Sequence, residues 1–460
     1  MKRLLLCLLI CFVAASAGTA QQKKVAAPAA AATAAKICAE PYAVAGNADG
    51  WPEGPVTILF HREKSKAPWS RNPAIKVPGL EATTSATART VVCIEESLLE
   101  MGRYDSGEAA YSPSWHITLL RMSDHKMYLA RAGFFGDNPP GMKFQRGAGI
   151  GKPPIETFVR WLRLIADQKV ARLKMRLSSQ SYEDTSALAF SPDGTKLAMA
   201  QQGRSSSSGA TPPSPITVFD LTTGKIITTL VPSLWAHNLA FSKSGNMLAA
   251  DGYRHVEIWD VSAGKVVHKI EAPEVESLEF SPDGSLAIAG GDQATLWDVA
   301  GERKLRSVAG AYFELSSSGK WLVAKREPRA LTVQEFESGQ VLAKFPAVGA
   351  ETKFAITDDG RAMVRYSSLG GSVYVAGSSE ARSLALPSVG VGVVYAVAPM
   401  HGGFVVGNGD GVVGLISASN PEPRAFATDH TSIKAVAVSA DGKLLAVGDS
   451  RGGVTVWELR

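Results

Sequence analysis

The sequence predicts a mainly β protein in which a small α+β domain precedes seven repeats of a four-stranded β-sheet. First, a short turn ending in glycine recurs seven times, beginning at residues 191, 242, 281, 316, 357, 399 and 439. The step is about 40 residues, the length of one four-stranded repeat unit. Second, alternating apolar strands flank these turns, as Leu278–Phe280 and Leu286–Ala289 do. Third, 45% hydrophobic and 20% charged residues are typical of a folded chain.

Met1–Ala20 is typical of a secretory signal peptide. Lys2 and Arg3 precede the apolar stretch Leu4–Ala14, and small residues suited to cleavage follow it. The alternative is an uncleaved membrane anchor, but the apolar stretch is short for crossing a bilayer. We therefore expect a periplasmic or secreted protein with no membrane span after signal cleavage. Residues 21–35 are rich in alanine and are expected to form a linker.

Residues 36–168 are predicted to form the small α+β domain, with a disulfide. Cys38 and Cys93 are the two cysteines beyond the signal peptide, and an exported chain favours their pairing. The bond would close a loop of about 55 residues and stabilise the fold by roughly 4 kcal/mol. The alternative is two buried free thiols. The predicted strands are Val56–Phe60, Thr90–Glu95, His116–Met122 and Met127–Phe134, and a helix is expected after Pro153-Pro154.

The repeats from about residue 170 to residue 460 end their third strand on an aromatic–acidic pair in several units. These pairs are Phe219-Asp220, Trp259-Asp260, Trp297-Asp298 and Trp457-Glu458. With the glycine turns, they make this region resemble the WD-repeat family of β-propellers. The resemblance implies a seven-bladed propeller around a central channel. It also implies that the turns between second and third strands share one face with the connections between blades.

The last repeat supplies only three strands, and we expect Val170–Leu177 to supply the fourth. Arg172, Lys174 and Arg176 alternate with apolar residues in this segment, as in a half-buried strand. In the WD-repeat family an N-terminal strand completes the C-terminal blade, so this segment is predicted to pair with Val454–Leu459. The alternative is that the helix beginning at Ile155 continues through Leu177.

Motifs for catalysis, metal binding or cofactor binding are not recognisable in the sequence, so no catalytic residue, metal or cofactor is expected. Gly147–Lys152 lacks the spacing of a phosphate loop, and Gly407–Gly411 is interpreted as a plain turn rather than a calcium site. The family resemblance implies that His237 and His430 make structural hydrogen bonds within blades. That network is expected to continue through a hydroxyl on the second strand. Val447 stands at that position in the last blade, so the network is expected to be incomplete there.

The expected function is non-catalytic binding of an extracytoplasmic protein or peptide by the propeller loops. Arginine and aromatic residues are the types enriched at protein interfaces. The candidate binding residues are Arg204, Tyr253, Arg254, Arg326, Arg329 and Arg451 in turns, and Tyr182, Trp235 and Tyr312 in blade connections. A net charge of +5 and a pI near 8.9 are too weakly basic to indicate a nucleic-acid partner. We expect a monomer.

Two other functions remain open from the sequence. The first is a propeller enzyme of the hydrolase or lactonase type, which would need a metal held in the central channel by side chains from several blades. The second is an exported binder of glycan or cell-wall material. The fold itself does not choose among these, because propellers carry many functions.

Overall fold

A computed structural model of the chain describes residues 38–39 and residues 55–460 with gaps, the longest of which are 64–71, 136–148, 203–214 and 385–392. The predicted signal peptide and linker lie outside the described residues. Among the described residues, no helix is both long and apolar enough to cross a membrane.

The N-terminal domain is a five-stranded sheet with one helix against it. Its elements are β1 (Val56–Arg62), β2 (Thr90–Arg103), β3 (Ala109–Arg121), β4 (Met127–Phe135), β5 (Gly149–Ile150) and α1 (Ile155–Ala166). The sheet order is β1-β2-β3-β4, and β5 pairs with β3. The helix buries Phe158, Trp161 and Leu162, three positions on one helical face, against the core of the domain.

Cys38 and Cys93 are joined in the structure. They form a disulfide, and their Cα atoms are 5.7 Å apart, within the range of such bonds. Cys93 lies on β2, so the bond ties the start of the described chain to the middle of the sheet.

Seven four-stranded antiparallel sheets, here called blades 1 to 7, follow along the described chain. Blade 1 contains β7 (Asp184–Phe190), β8 (Lys196–Gln202), β9 (Ile216–Asp220) and β10 (Ile226–Leu230). Blade 2 contains β11 (Leu239–Phe241), β12 (Met247–Asp251), β13 (His255–Asp260) and β14 (Lys265–Glu271). Blade 3 contains β15 (Val275–Phe280), β16 (Leu286–Gly290), β17 (Gln293–Asp298) and β18 (Arg303–Ala309).

The later blades repeat this order. Blade 4 contains β19 (Ala311–Leu315), β20 (Trp321–Glu327), β21 (Ala330–Glu335) and β22 (Val341–Pro346). Blade 5 contains β23 (Lys353–Ile356), β24 (Ala362–Ser367), β25 (Gly370–Val375) and β26 (Arg382–Leu384). Blade 6 contains β27 (Val394–Met400), β28 (Gly403–Asn408), β29 (Val412–Ser417) and β30 (Arg424–Ala427). Blade 7 contains β31 (Ile433–Val438), β32 (Leu444–Asp449), β33 (Gly453–Leu459) and β6 (Ala171–Ser178).

The seven blades form a closed ring around a channel. Their first strands contact one another in cyclic order, from β7 through β11, β15, β19, β23 and β27 to β31, which contacts β7 again. The glycine that ends each of the seven predicted turns has φ between 65° and 95°. Only glycine adopts this left-handed backbone without strain, which explains why the repeat keeps it. The mainly β fold with a seven-bladed propeller is therefore confirmed.

The predicted closing strand pairs with the last strand of the chain. In β6, Leu177 lies opposite Val454 and Met175 lies opposite Val456. Residues alternate between buried and more exposed along β6, as half-buried strands do. Helix α1 ends at Ala166, so the alternative of one helix continuing through Leu177 is wrong. Met175 and Leu177 share an apolar cluster with blade 1, so β6 also joins the two ends of the ring.

The N-terminal domain packs against blades 6 and 7. Helix α1 contacts β30, the outer strand of blade 6. The apolar cluster that contains Trp115 and Phe158 continues into the propeller through Phe426 and Trp457. The two parts of the chain therefore share a core next to the strand that closes the ring.

Candidate partner-binding face

Two faces of the propeller are distinguished by their loops. The turn face carries the seven glycine turns between first and second strands, together with the turns between third and fourth strands. The connection face carries the turns between second and third strands and the connections between blades. The sequence places the candidate binding residues on the connection face.

Blade 7 carries a complete hydrogen-bond network beneath the connection face. The ring of His430 contacts Asp449 Oδ2 through Nδ1 at 2.8 Å and Thr455 Oγ1 through Nε2 at 2.7 Å. Trp457 Nε1 donates to the same Thr455 oxygen at 2.8 Å. The expectation of an incomplete network was wrong, because the hydroxyl comes from the third strand, two residues before the tryptophan. Val447 on the second strand packs in the apolar core instead.

Asp449 also shapes the neighbouring turn. Its Oδ1 accepts hydrogen bonds from the backbone N–H groups of Arg451 and Gly453, both at 2.9 Å. Burial raises the pKa of Asp449, but the hydrogen bond and charge of His430, with these backbone donors, hold that pKa below its ordinary value. Asp449 is therefore a structural anion that fixes the loop carrying Arg451.

Blade 2 replaces this network with one centred on Glu257. Aligning the two blades on their glycine turns places Ser233 at the position of His430, and aligning them on Trp259 and Trp457 places Glu257 at that of Thr455. The buried Glu257 carboxylate accepts from the Ser233 hydroxyl and, at 3.3 Å, from the Ser233 backbone N–H. His255 Nε2 lies 3.3 Å and Lys269 Nζ 3.8 Å from Glu257 Oε1. In blade 7 the threonine hydroxyl accepts from the tryptophan, whereas the Glu257 carboxylate in blade 2 interacts with Ser233, His255 and Lys269 instead. The Nε1 atom of buried Trp259 therefore has no hydrogen-bond partner among the described residues.

The Glu257 network joins the two loops of blade 2 that carry predicted binding residues. Ser233 lies two residues before Trp235 in the connection from blade 1, and His255 directly follows Arg254 in the turn between β12 and β13. Asp251 adds a second link, since its carboxylate accepts from the backbone N–H groups of His237 and Asn238, both at 2.7 Å. The exposed Arg254 and the half-buried Trp235 are thus held on fixed backbone.

The expectation that His237 and His430 both make structural side-chain hydrogen bonds is correct for His430 only. His430 makes the structural hydrogen bonds that the family resemblance implied. His237 instead uses its backbone N–H, and its side chain is exposed.

The other predicted binding residues do not gather around Arg254. Arg451 is exposed in the turn of blade 7, and its charge acts on His116 of the N-terminal domain. Desolvation by the surrounding protein lowers the pKa of His116. The charge of Glu95 raises that pKa, and the charge of Arg451 lowers it. Arg451 is thus separated from Arg254 by blade 1 and lies near the shared core.

Two predicted loop residues lie in strands. Arg326 belongs to β20, whose ladder with β21 extends to the pair Glu327 and Ala330. Tyr312 belongs to β19, whose ladder with β20 begins at the pair Ala311 and Lys325. The remaining candidates lie outside the described residues, namely Tyr182, Arg204, Tyr253 and Arg329. Glu257 and Ser233 were missed by the sequence reasoning. The available signal was the glutamate two residues before Trp259, where Thr295 and Thr455 precede the tryptophans of blades 3 and 7.

The central channel forms a cavity of about 1110 Å³ lined mainly by the first strands of the blades. Phe241, Phe280 and Phe354 line it together with the carboxylates of Glu279 and Glu314. Within the described residues, no three His, Cys, Asp or Glu side chains are grouped as metal ligands would be. At Gly407–Gly411, Asn408 Oδ1 accepts from the N–H groups of Asp410 and Val412, which is the plain turn expected from the sequence.

Comparison with known proteins identifies the repeat. Residues 422–458 match the family model described as "WD domain, G-beta repeat". The matched segment runs from the outer strand of blade 6 through the first three strands of blade 7, so the sequence repeat is offset from the blade by one strand. The segment 422–458 is therefore a WD repeat. This offset is what leaves the last blade of the ring to be completed by β6.

Two known proteins are similar to parts of this chain. The small ribosomal subunit protein RACK1y of Oryza sativa subsp. japonica is 29% identical over 154 residues. The alignment covers 31% of this chain and 43% of RACK1y, so it spans less than half of that relative. A solved structure of Kuenenia stuttgartiensis hydrazine synthase is 17% identical, with a TM-score of 0.49, over 61% of this chain and 97% of that chain.

Proposed function

We propose that this protein is an exported, non-catalytic interaction platform that binds a protein or peptide through the connection face of blade 2. The contact residues are Trp235 and Arg254, and Glu257 positions their loops. The WD repeat at residues 422–458 and the seven-bladed propeller support a role in protein interaction. The signal-like N-terminus and the Cys38–Cys93 pair support export to an oxidising compartment.

The observation that carries the proposal is the buried Glu257 network. A carboxylate at 5% exposure that joins two surface loops costs desolvation, and the fold does not require it because threonine fills the same position in blades 3 and 7. Its effect is to hold Trp235 and Arg254 in place before a partner arrives. Fixing contact residues in advance reduces the conformational entropy lost on binding.

The chemistry of the two contact residues defines the partner. Tryptophan and arginine are the residues that most often dominate binding energy at interfaces. Arg254 offers planar paired donors for a carboxylate, and Trp235 offers a partly exposed aromatic surface beside it. The proposed partner is therefore an extracytoplasmic protein or peptide segment that presents an acidic side chain next to an apolar one. The platform acts as a monomer in this proposal.

The binding proposal predicts that Arg254→Glu weakens partner capture at least tenfold, because it replaces the attracting charge with a repelling one. Immobilised full-length protein is exposed to native cell-envelope extract, and the retained proteins are quantified by mass spectrometry. Lys265→Glu is the matched control, since it makes the same charge reversal at an exposed site of the same blade on the turn face. Both variants should keep the wild-type melting temperature. Capture that survives Arg254→Glu, or falls equally with Lys265→Glu, contradicts the proposed site.

The export proposal predicts a mature protein that begins near Gly18 or Gln21. N-terminal sequencing of protein isolated from the envelope or medium tests this directly. Thiol labelling of the same sample, unfolded without reductant, should find neither Cys38 nor Cys93 free. An intact Met1 on protein recovered from the cytoplasm would contradict export.

A further inference from the structure

Glu274 is an exposed residue with an unusual backbone conformation. It is the last residue of the connection between blades 2 and 3, directly before β15, and its φ is 53°. This left-handed region is strained for residues with a side chain, and glutamate is not among the types that adopt it most readily. Glu302, with a φ of 48°, is the other non-glycine residue with a positive φ in the described part of the chain. The fold therefore accepts a local cost at Glu274.

The two strained glutamates differ in their contacts. Glu302 ends the turn between the third and fourth strands of blade 3, where Gly264 ends the same turn of blade 2. The Glu302 carboxylate contacts His268 of blade 2 at 3.0 Å, so a contact between blades accounts for this residue. The Glu274 carboxylate makes no hydrogen bond or ion pair with any residue that the structure describes. Contacts within the described chain therefore do not explain why a glutamate stands at 274.

The neighbouring strand of blade 3 is also adapted to this conformation. Gly290 ends β16 and lies opposite Val275. A Cβ atom at Gly290 would collide with the carbonyl oxygen of Glu274. Glycine weakens a strand, and inside a strand it marks a close approach of another backbone segment. Blade 3 thus accepts a second local cost for the conformation of one exposed residue.

Glu274 and Trp235 lie in the two connections that flank the Arg254 turn. The backbone N–H of Ala272, two residues before Glu274, donates to the Arg254 carbonyl oxygen at 3.1 Å. The Glu257 network ties the same turn to the connection that carries Trp235. Arg254 and Glu274 carry opposite charges on neighbouring loops, yet neither forms an ion pair with a described residue. Both charged groups are therefore available to a partner.

We propose that Glu274 is a further contact residue of the blade 2 site and determines specificity by binding a lysine or arginine of the partner. This inference rests on the function proposed above and extends its chemistry. The partner segment presents an apolar, an acidic and a basic side chain to Trp235, Arg254 and Glu274. Glu274 repels a segment that carries acidic side chains alone, so the two opposite charges select against such partners. The fixed backbone of Glu274 reduces the entropy lost on binding.

Titration of a captured protein tests the contact. The probe is a protein that the wild type retains from native cell-envelope extract and that Arg254→Glu loses, purified and titrated against immobilised full-length protein. Glu274→Lys should raise the dissociation constant of this protein at least tenfold, because the variant places like charges together. Glu302→Lys is the matched control, since it reverses the charge of the other strained and exposed glutamate of blade 3 on the turn face. The control should leave the dissociation constant unchanged.

Glu274→Gly separates a contact role from a structural role. Glycine adopts the left-handed backbone without strain, so this variant should melt at or above the wild-type temperature. It also removes the carboxylate, so binding of the captured protein should weaken by roughly 2- to 5-fold, the range for loss of an exposed ion pair. A melting temperature several degrees below that of the wild type would mean that Glu274 supports the fold, and would overturn the proposal.

The outcomes for Arg254 and Glu274 are distinguishable. Loss of capture in Arg254→Glu with wild-type affinity in Glu274→Lys would overturn this inference and leave the function proposed for blade 2 intact. Capture that survives Arg254→Glu would overturn the proposed function, and this inference with it. Equal weakening by Glu274→Lys and Glu302→Lys would indicate a general effect of charge and would contradict a contact at Glu274. Weakening confined to Glu274→Lys supports the inference.

Discussion

Thr455 shows how the residue two positions before the blade tryptophan determines the hydrogen-bond network of a blade. Its hydroxyl is shared by His430 and by the indole of Trp457, both of which are buried. In blade 3 the equivalent Thr295 serves Trp297 at 2.9 Å, and in blade 2 the position is Glu257. Blade 7 therefore has a network that joins histidine, threonine and tryptophan, and blade 3 has only the hydrogen bond between threonine and tryptophan. Blade 2 has a different network, centred on Glu257.

We expect Thr455→Val to lower the free energy of unfolding by roughly 2–5 kcal/mol. The change keeps the side-chain shape but leaves His430 Nε2 and Trp457 Nε1 buried without their acceptor or donor, at about 1–3 kcal/mol each. Thr295→Val is the matched control and should cost about half as much, because Trp297 is only half-buried and depends on it alone. Urea unfolding of both variants provides the comparison. Equal losses in the two blades would mean that the blade 7 network is not cooperative.

At the scale of elements, strands were predictable wherever one face is buried and the other is not. Segment 170–177 alternates strictly, and the observed β6 differs by one residue at each end. The outer half of β2 was not predicted, since Leu98–Arg103 has no such alternation and is mostly exposed. Its pairing with β3 extends it, and that pairing is a tertiary effect. The short β5 likewise exists because it pairs with β3.

The candidate site was less predictable than the strands. Arg254 and Trp235 were found because their residue types stand out in loops. The Glu257 network was not, because Ser233 and Glu257 are 24 residues apart in sequence and meet only after blade 2 has folded. Arg326 and Tyr312 were assigned to loops because a strand end has no clear marker in sequence.

At the scale of the whole molecule, β6 makes the ring and the N-terminal domain parts of one structure. Its pairing with β33 completes blade 7, and Leu173 belongs to the same apolar cluster as Trp115 of the N-terminal domain. We therefore expect the binding face of blade 2 and the channel to depend on β6, although neither touches it. An open blade 7 would loosen the cyclic order of first strands that forms the channel wall.

The most direct test of this account compares two shortened chains, one that starts at Lys169 and one that starts at Ser178. The second lacks β6, which exposes Val454, Val456 and Trp457 and removes the ladder between β6 and β33. Lost apolar burial at roughly 25 cal/mol per Å² and lost hydrogen bonds at about 1 kcal/mol each sum to several kcal/mol. That loss is comparable with the whole stability of a typical domain, about 5–15 kcal/mol.

The measurement is the melting temperature and aggregation state of both chains under the same conditions. The chain that starts at Lys169 should keep a cooperative transition, at a lower temperature than the full-length protein because the N-terminal part of the shared core is lost. The chain that starts at Ser178 should aggregate or melt far lower. Equal melting temperatures and equal solubility would contradict a ring closed by β6.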